Sequence, residues 1–179
     1  FILANRKSEV AALQWKHIDF ENSLLRLNQA LDRDRKIKTT KSNKDTIFTL
    51  PPMLLDLFAK WKAEQRKQLK NFNIRQDDNQ LVFTYIDTFG NLNAPLHPDY
   101  LNNKMKTVRK RHPELAHCTP HKLRHTAASL CNTIGLDIQT ISKGLTHSNS
   151  QTTKIYINSE NKVQNPLGEV VAQELNISY

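Results

Sequence analysis

Residues 119–135 read TPHKLRHTAASLCNTIG, and residues 136–156 continue LDIQTISKGLTHSNSQTTKIY. Thr119 offers a side-chain oxygen where a helix needs a cap, Pro120 suits the first helical position, and Gly135 ends the run. Asp137 caps a short second helix reaching Gly144, and Ser148 or Ser150 can start a third through Tyr156. On a wheel of about 100° per residue, Leu123, Ala127, Leu130 and Ile134 fall on one side of the first helix. His121, Arg124, His125 and Ala128 fall on the other, so two imidazoles and a guanidinium share a face, one turn apart. Solvated faces favour Lys and Glu, and neither occurs there, so composition argues for chemistry. Further on, His147 and Tyr156 stand nine residues apart across a turn rich in Ser, Asn and Thr. Singly, a Tyr beside Ile155 or a lone His is more often structural; the combination carries the argument.

Working outward, Ser8–Trp15 has helical spacing, with Val10, Ala11 and Leu13 as inward candidates. A turn at Glu21–Asn22 separates two short strands, His17–Phe20 and Leu24–Leu27. A charged polar loop is expected from Asp32 to Lys44, then a strand over Thr46–Leu50. Pro51–Pro52 open a helix with Leu54, Leu57, Phe58 and Trp61 on one face, ending near Lys70. Leu81–Tyr85 reads as a strand and His97–Arg111 as a basic helix carrying Tyr100, Leu101 and Val108. Asn165 and Pro166 open a last helix whose Leu167, Val170, Val171 and Leu175 form a stripe. There is no repeat or low-complexity stretch. The expected class is α+β, mainly helical, with a small antiparallel sheet near the start.

The chain has 179 residues, 38% hydrophobic and 24% charged, enough to bury a core. That excludes a disordered tail or a disulfide miniprotein. No apolar run approaches the roughly 18 residues of a membrane span, and the opening FILANRKSEV turns polar too soon for a secretory signal. Starting at Phe1 without an initiator Met, the chain is expected to be part of something longer. Cys118 and Cys131 fit a reduced compartment and small core positions better than a disulfide or a zinc site. The net charge is +9, spread as +4 over 1–50, +4 over 51–110, +2 over 111–160 and −1 over 161–179. An excess carried by the whole body points to a polyphosphate partner, because Lys and Arg release counterions from nucleic acid. Lys104, Lys106, Arg109, Lys110 and Arg111 form the densest cluster.

The segments HKLRHTAASL and GLTHSNSQTTKIY resemble the signature of the tyrosine recombinases, the phage-integrase family. That signature is His-x-x-Arg heading a helix, a second His, and a nucleophilic Tyr nine residues later; His121, Arg124, His147 and Tyr156 match it. ANRKSEVAALQW resembles the family's first box through Arg6, Ser8, Glu9, Leu13 and Trp15. TKSNKDTIFTLP offers Lys41 where the family places a hairpin Lys, with Lys38 and Lys44 as neighbouring candidates. The chain departs from the pattern at Thr146, where Gly is frequent, and at Ala4–Asn5, where a Gly-Leu pair is usual. Both departures adjoin matched residues and are expected to tune activity.

The resemblance implies a catalytic domain over 1–164, lacking the helix before the first Arg and an upstream DNA-clamping domain, with 165–179 as a helix able to dock on a neighbouring protomer. It implies Tyr156 as nucleophile, Arg6 and Arg124 as forks for the phosphate, His121 and His147 as further donors or bases, and Lys41 as acid for the leaving oxygen. Glu9 would buttress Arg6 or a His, and Lys38, Lys44 and the 104–111 cluster would contact DNA. No cofactor or metal is implied, and no GxxxxGK[ST] motif or two-metal acidic cluster occurs. The implied partners are double-stranded DNA, further copies of the chain as dimer or tetramer on it, and an accessory directionality factor, but no membrane. The implied setting is the cytoplasm and nucleoid of a bacterium, with a phage or mobile-element origin. Two other readings share some of these residues. One is a non-catalytic helix-turn-helix regulator built on 119–144; the other is a type IB topoisomerase or telomere resolvase.

Overall fold

The computed structural model describes residues 5–39 and 45–145. They divide into two compact units, one of Ser8–Pro98 and the other of residues 5–7 and 99–145.

Helix α1 covers only Lys7–Ala11, shorter than the spacing of Ser8–Trp15 suggests. The cause is tertiary. Val82 N donates to Leu13 O at 2.7 Å and Trp15 N to Gln80 O at 3.1 Å, so the chain is drawn into an extended bridge between Gln14 and Leu81. Backbone groups that would prolong the helix are thereby paired elsewhere. Ala12 and Leu13 become the buried residues, while Val10 and Ala11 are half-buried. A 3-10 turn, Trp15–His17, follows, with Gln14 N donating to His17 Nδ1 at 3.1 Å.

Strands β1 (Ile18–Asp19), β2 (Leu24–Leu27) and β5 (Thr46–Thr49) form an antiparallel sheet with β2 in the centre. Leu25 lies opposite Ile18 on one side and Phe48 on the other. Period-two alternation puts Leu25 and Leu27 in the core and Arg26 outside. Between β2 and β5, β3 (Gln29–Leu31) pairs with β4 (Ile37–Thr39) as a second antiparallel ribbon. Ile37–Thr39 therefore leaves the expected Asp32–Lys44 loop. Asp32 Oδ1 accepts from Asp34 N and Lys36 N, both at 2.9 Å, and Arg35 takes the left-handed φ of 63°. This Asx-type turn reverses the chain tightly enough for its arms to pair.

Helix α2 (Pro52–Lys70) begins where the two prolines predict. Its buried residues are Gln65 and Leu69, and Leu57 is 54% exposed instead of lying on a buried face. The helix seats through a polar contact. Gln65 Oε1 accepts from Trp15 Nε1 at 2.7 Å, and its Nε2 donates to Leu81 O and Val82 O at 2.9 and 3.1 Å. Because Leu81 and Val82 are engaged this way, strand β6 is only Thr84–Tyr85; it pairs with β7 (Ala94–Pro95).

In the other unit, α3 (Tyr100–Arg111) starts later than the expected His97, beyond Pro98, and none of its residues is buried. Helix α4 (Pro120–Thr133) begins as anticipated: Thr119 Oγ1 accepts from Lys122 N at 3.1 Å. It ends in a Schellman motif, with Gly135 at φ 81°, Leu136 N donating to Cys131 O and Gly135 N to Asn132 O, both at 2.8 Å. Helix α5 (Ile138–Gly144) is capped by Asp137, whose Oδ1 accepts from Gln139 N and Thr140 N. The inward stripe of α4 is Arg124, Ala127, Ala128 and Cys131, with Leu123 and Leu130 half-buried. It is thus rotated from the Leu123–Ala127–Leu130–Ile134 face anticipated by hydrophobicity alone. Small side chains at 127, 128 and 131 let Leu136, Ile141 and Leu145 pack against the helix. The helices expected from Ser148 or Ser150 and from Asn165, and with them the proposed appendage 165–179, lie outside the described residues.

Candidate active site

Arg124 occupies a core-facing position of α4, yet it is a cation. It is 5% exposed, and its Nη2 donates to the carbonyl of Leu145, at the end of α5. Burying a guanidinium is costly unless its N–H groups are met, so this contact fixes the fork between the two helices. One turn earlier, at the first helical turn, His121 is exposed. His125 is half-buried, and its Nε2 lies 2.9 Å from His121 Nε2, the rings edge to face with centroids 4.4 Å apart. Burial, then the electrostatic influence of His121 and Arg124, pushes the His125 pKa below its ordinary value. The helix therefore carries a guanidinium and two paired imidazoles within five residues.

Arg6 is exposed just ahead of α1, in the same unit as His121 and Arg124. Glu9 is 3% exposed and belongs to the other unit, as does Lys38. Lys38 projects from β4 with its Nζ 2.7 Å from Asp32 Oδ2, and that carboxylate raises its pKa. Lys41, Lys44, His147 and Tyr156 lie outside the described residues. Lys104, Lys106, Arg109, Lys110 and Arg111 are all exposed on α3; Lys104 Nζ sits 5.2 Å from the Tyr100 ring centre, and Arg109 Nη1 is 2.7 Å from His117 Nδ1. Of the expected site residues, the described structure carries His121 and Arg124 on α4, the first exposed and the second buried. It adds His125, which sequence placed on the right face without a role; its i,i+4 spacing from His121 was the signal. Among the described residues no three His, Cys, Asp or Glu side chains are grouped to hold a metal ion, and no helix is long and apolar enough to cross a membrane.

This arrangement of helices and small antiparallel ribbons is the fold of tyrosine-recombinase catalytic domains. XerA recombinase superposes with a TM-score of 0.64 at 19% identity, over 98% of this chain and 53% of that one. The Tn1549 transposon integrase, solved in complex with circular intermediate DNA, gives 0.68 at 22% identity over 98% and 57%. The chain belongs to the phage integrase family, whose model matches residues 2–162. Among curated relatives, the ICEBs1 integrase of Bacillus subtilis is 28% identical, across 96% of this chain and 47% of that protein. The transposase from transposon Tn916 of Enterococcus faecalis is also 28% identical, across 84% and 38%. The chain spans less than half the length of these curated relatives.

Proposed function

We propose that this chain is the catalytic part of a site-specific DNA recombinase that serves a mobile element and works through a 3′-phosphotyrosine intermediate. The observation that carries the reading is Arg124, a guanidinium held at a buried position by the Leu145 carbonyl, one turn from His121. It sits in a chain whose family membership and His147–Tyr156 spacing supply the remaining parts.

Tyr156 Oη attacks a DNA phosphorus; the new Oη–P bond forms as the bond from phosphorus to the 5′ oxygen breaks. At neutral pH a phenol with a pKa of about 10 is almost wholly protonated, so a base, His121 or His147, takes that proton. Charge gathering on the nonbridging oxygens is met by Arg6 and Arg124, whose paired N–H groups match a phosphate edge. Lys41 gives the departing 5′ oxygen its proton, with Lys38 and Lys44 as the other lysines of that segment. Glu9 has a supporting role, toward Arg6 or a His. The ester retains the bond energy for rejoining, so the cycle needs neither ATP nor a metal. The exposed cations of α3, with Lys38 and Lys44, contact the backbone of double-stranded DNA. Recombination requires several copies on the DNA, which 165–179 would link, together with an accessory factor setting direction. The setting is the bacterial cytoplasm, at the nucleoid.

Covalent trapping tests this reading. The protein is incubated with nicked duplexes from the element's ends in the presence of chelator, and an SDS-resistant protein–DNA adduct is sought. An adduct lost in Tyr156→Phe supports it. Tight binding of the same ends without any adduct overturns it in favour of a non-catalytic regulator.

A further inference from the structure

The catalytic roles proposed above assign nothing to His125, although its Nε2 lies 2.9 Å from that of His121. We infer that His125 is a positioning residue for His121, fixing its ring orientation and tautomer through one proton shared between the two Nε2 atoms; the functional part of this inference rests on the recombinase reading.

The geometry leaves little choice. Two imidazole nitrogens 2.9 Å apart must hold one proton between them: two protons would clash and none would leave lone pairs facing each other. Which nitrogen of a histidine carries its proton is set by the bond the other nitrogen makes, so the state of one ring dictates that of the other. Both residues stand on one face of α4, and the edge-to-face packing at 4.4 Å between centroids restrains the rings as well. His125 is the better anchored partner, being half-buried where His121 is exposed. Its preference for the neutral form suits a residue that orients a neighbour without adding a second charge. Arg124, between them in sequence, faces the core and donates to Leu145, so it does not compete for this nitrogen pair through that contact.

Substitutions at both histidines, read by cleavage rate, DNA affinity and ring 15N resonances, test it. His125→Phe keeps a ring but removes the nitrogen, whereas His125→Gln places an amide near the former Nε2. The inference expects His125→Phe to slow DNA cleavage by about tenfold or more, as when a proton-handling group is mispositioned, with DNA affinity unchanged and with substantial recovery in His125→Gln. In the His121→Ala background, His125→Phe should cost nothing further. Independently of DNA, the ring 15N resonances of His121 should change tautomer pattern in His125→Phe and move back in His125→Gln. Unchanged His121 resonances in folded His125→Phe overturn the inference, as does equal slowing in the Phe and Gln variants. If no variant, wild type included, forms the Tyr156 adduct, the recombinase reading fails while the 15N result still decides the His121–His125 coupling.

Discussion

Arg124→Lys separates fork geometry from charge. In the wild type Nη2 is engaged by the Leu145 carbonyl, which fixes the rigid fork, and the recombinase reading gives that fork a phosphate oxygen as a second partner. An ammonium on a flexible stem cannot hold both partners in fixed geometry. If it stays on Leu145, the transition state loses a preorganised donor, worth about 3–4 kcal/mol or a factor of 10²–10³ in rate. If it swings to the phosphate, the buried Leu145 carbonyl loses a charge-assisted bond, at about 1.5–3 kcal/mol of stability, or roughly 3–12 °C in Tm for a domain of this size. Net charge is unchanged in both cases, so the electrostatic part of DNA affinity and its salt slope should hold. The assay is single-turnover cleavage of a suicide substrate beside gel-shift titrations and a thermal melt. Cleavage at the wild-type rate, or binding and cleavage falling by the same factor, refutes the reasoning.

Further predictions concern stability, pH and DNA contact. Gln65→Ala leaves Val82 O bonded to Trp61 Nε1, Leu81 O to Gln80 Nε2, and Gln76 Nε2 donating to Lys62 O. The uncompensated loss is thus the Trp15 indole N–H, plus the volume removed, about 2–4 kcal/mol in a urea melt; a change below about 1 kcal/mol would contradict the network's role. His17 has its pKa lowered, first by burial and then by Lys16 and Arg26, and its Nδ1 must stay bare to accept from Gln14 N. The unfolded chain therefore takes up the proton first, and stability present above about pH 6.5 should decline as pH falls through the depressed folded pKa. His17→Asn, which keeps an acceptor, should shrink that decline in Tm, and an unaltered pH curve would count against it. Asp19, Asp32, Asp87 and Asp137 have pKa values lowered chiefly by side-chain hydrogen bonds. Their contribution holds above their ordinary pKa and is lost on further acidification, so a second fall in Tm is expected below about pH 4. Lys104→Ala with Lys110→Ala should weaken binding to all duplexes alike and reduce the slope of log K against log salt by about 1.8 if each lysine meets one phosphate; an unchanged slope removes these residues from the interface.

Local signals were legible wherever a side chain acts on its own backbone. Thr119, Pro120, Gly135 and Asp137 mark the ends of α4 and α5 because capping and left-handed termination are decided within a few residues. The β1–β2 turn and the Pro51–Pro52 start of α2 are readable for the same reason. The pairing of His121 with His125 also follows from helical period alone.

Other features depended on residues distant in sequence. Helix α1 stops at Ala11 because residues 78–82 pair with 13–16. Leu57 is exposed and Gln65 buried because Trp15 needs an acceptor for its indole N–H, which a hydrophobicity pattern cannot register. Arg124 looks from sequence like part of a polar face. Only the docking of α5 turns it inward, since three small residues beside it admit Leu136, Ile141 and Leu145, and the Leu145 carbonyl gives the buried guanidinium its partner. The sequence thus determined which chemical groups this protein carries and on which helix they stand. The tertiary structure alone decided which of them is buried and held, because burial and hydrogen-bond pairing are properties of packed surfaces that no single segment contains.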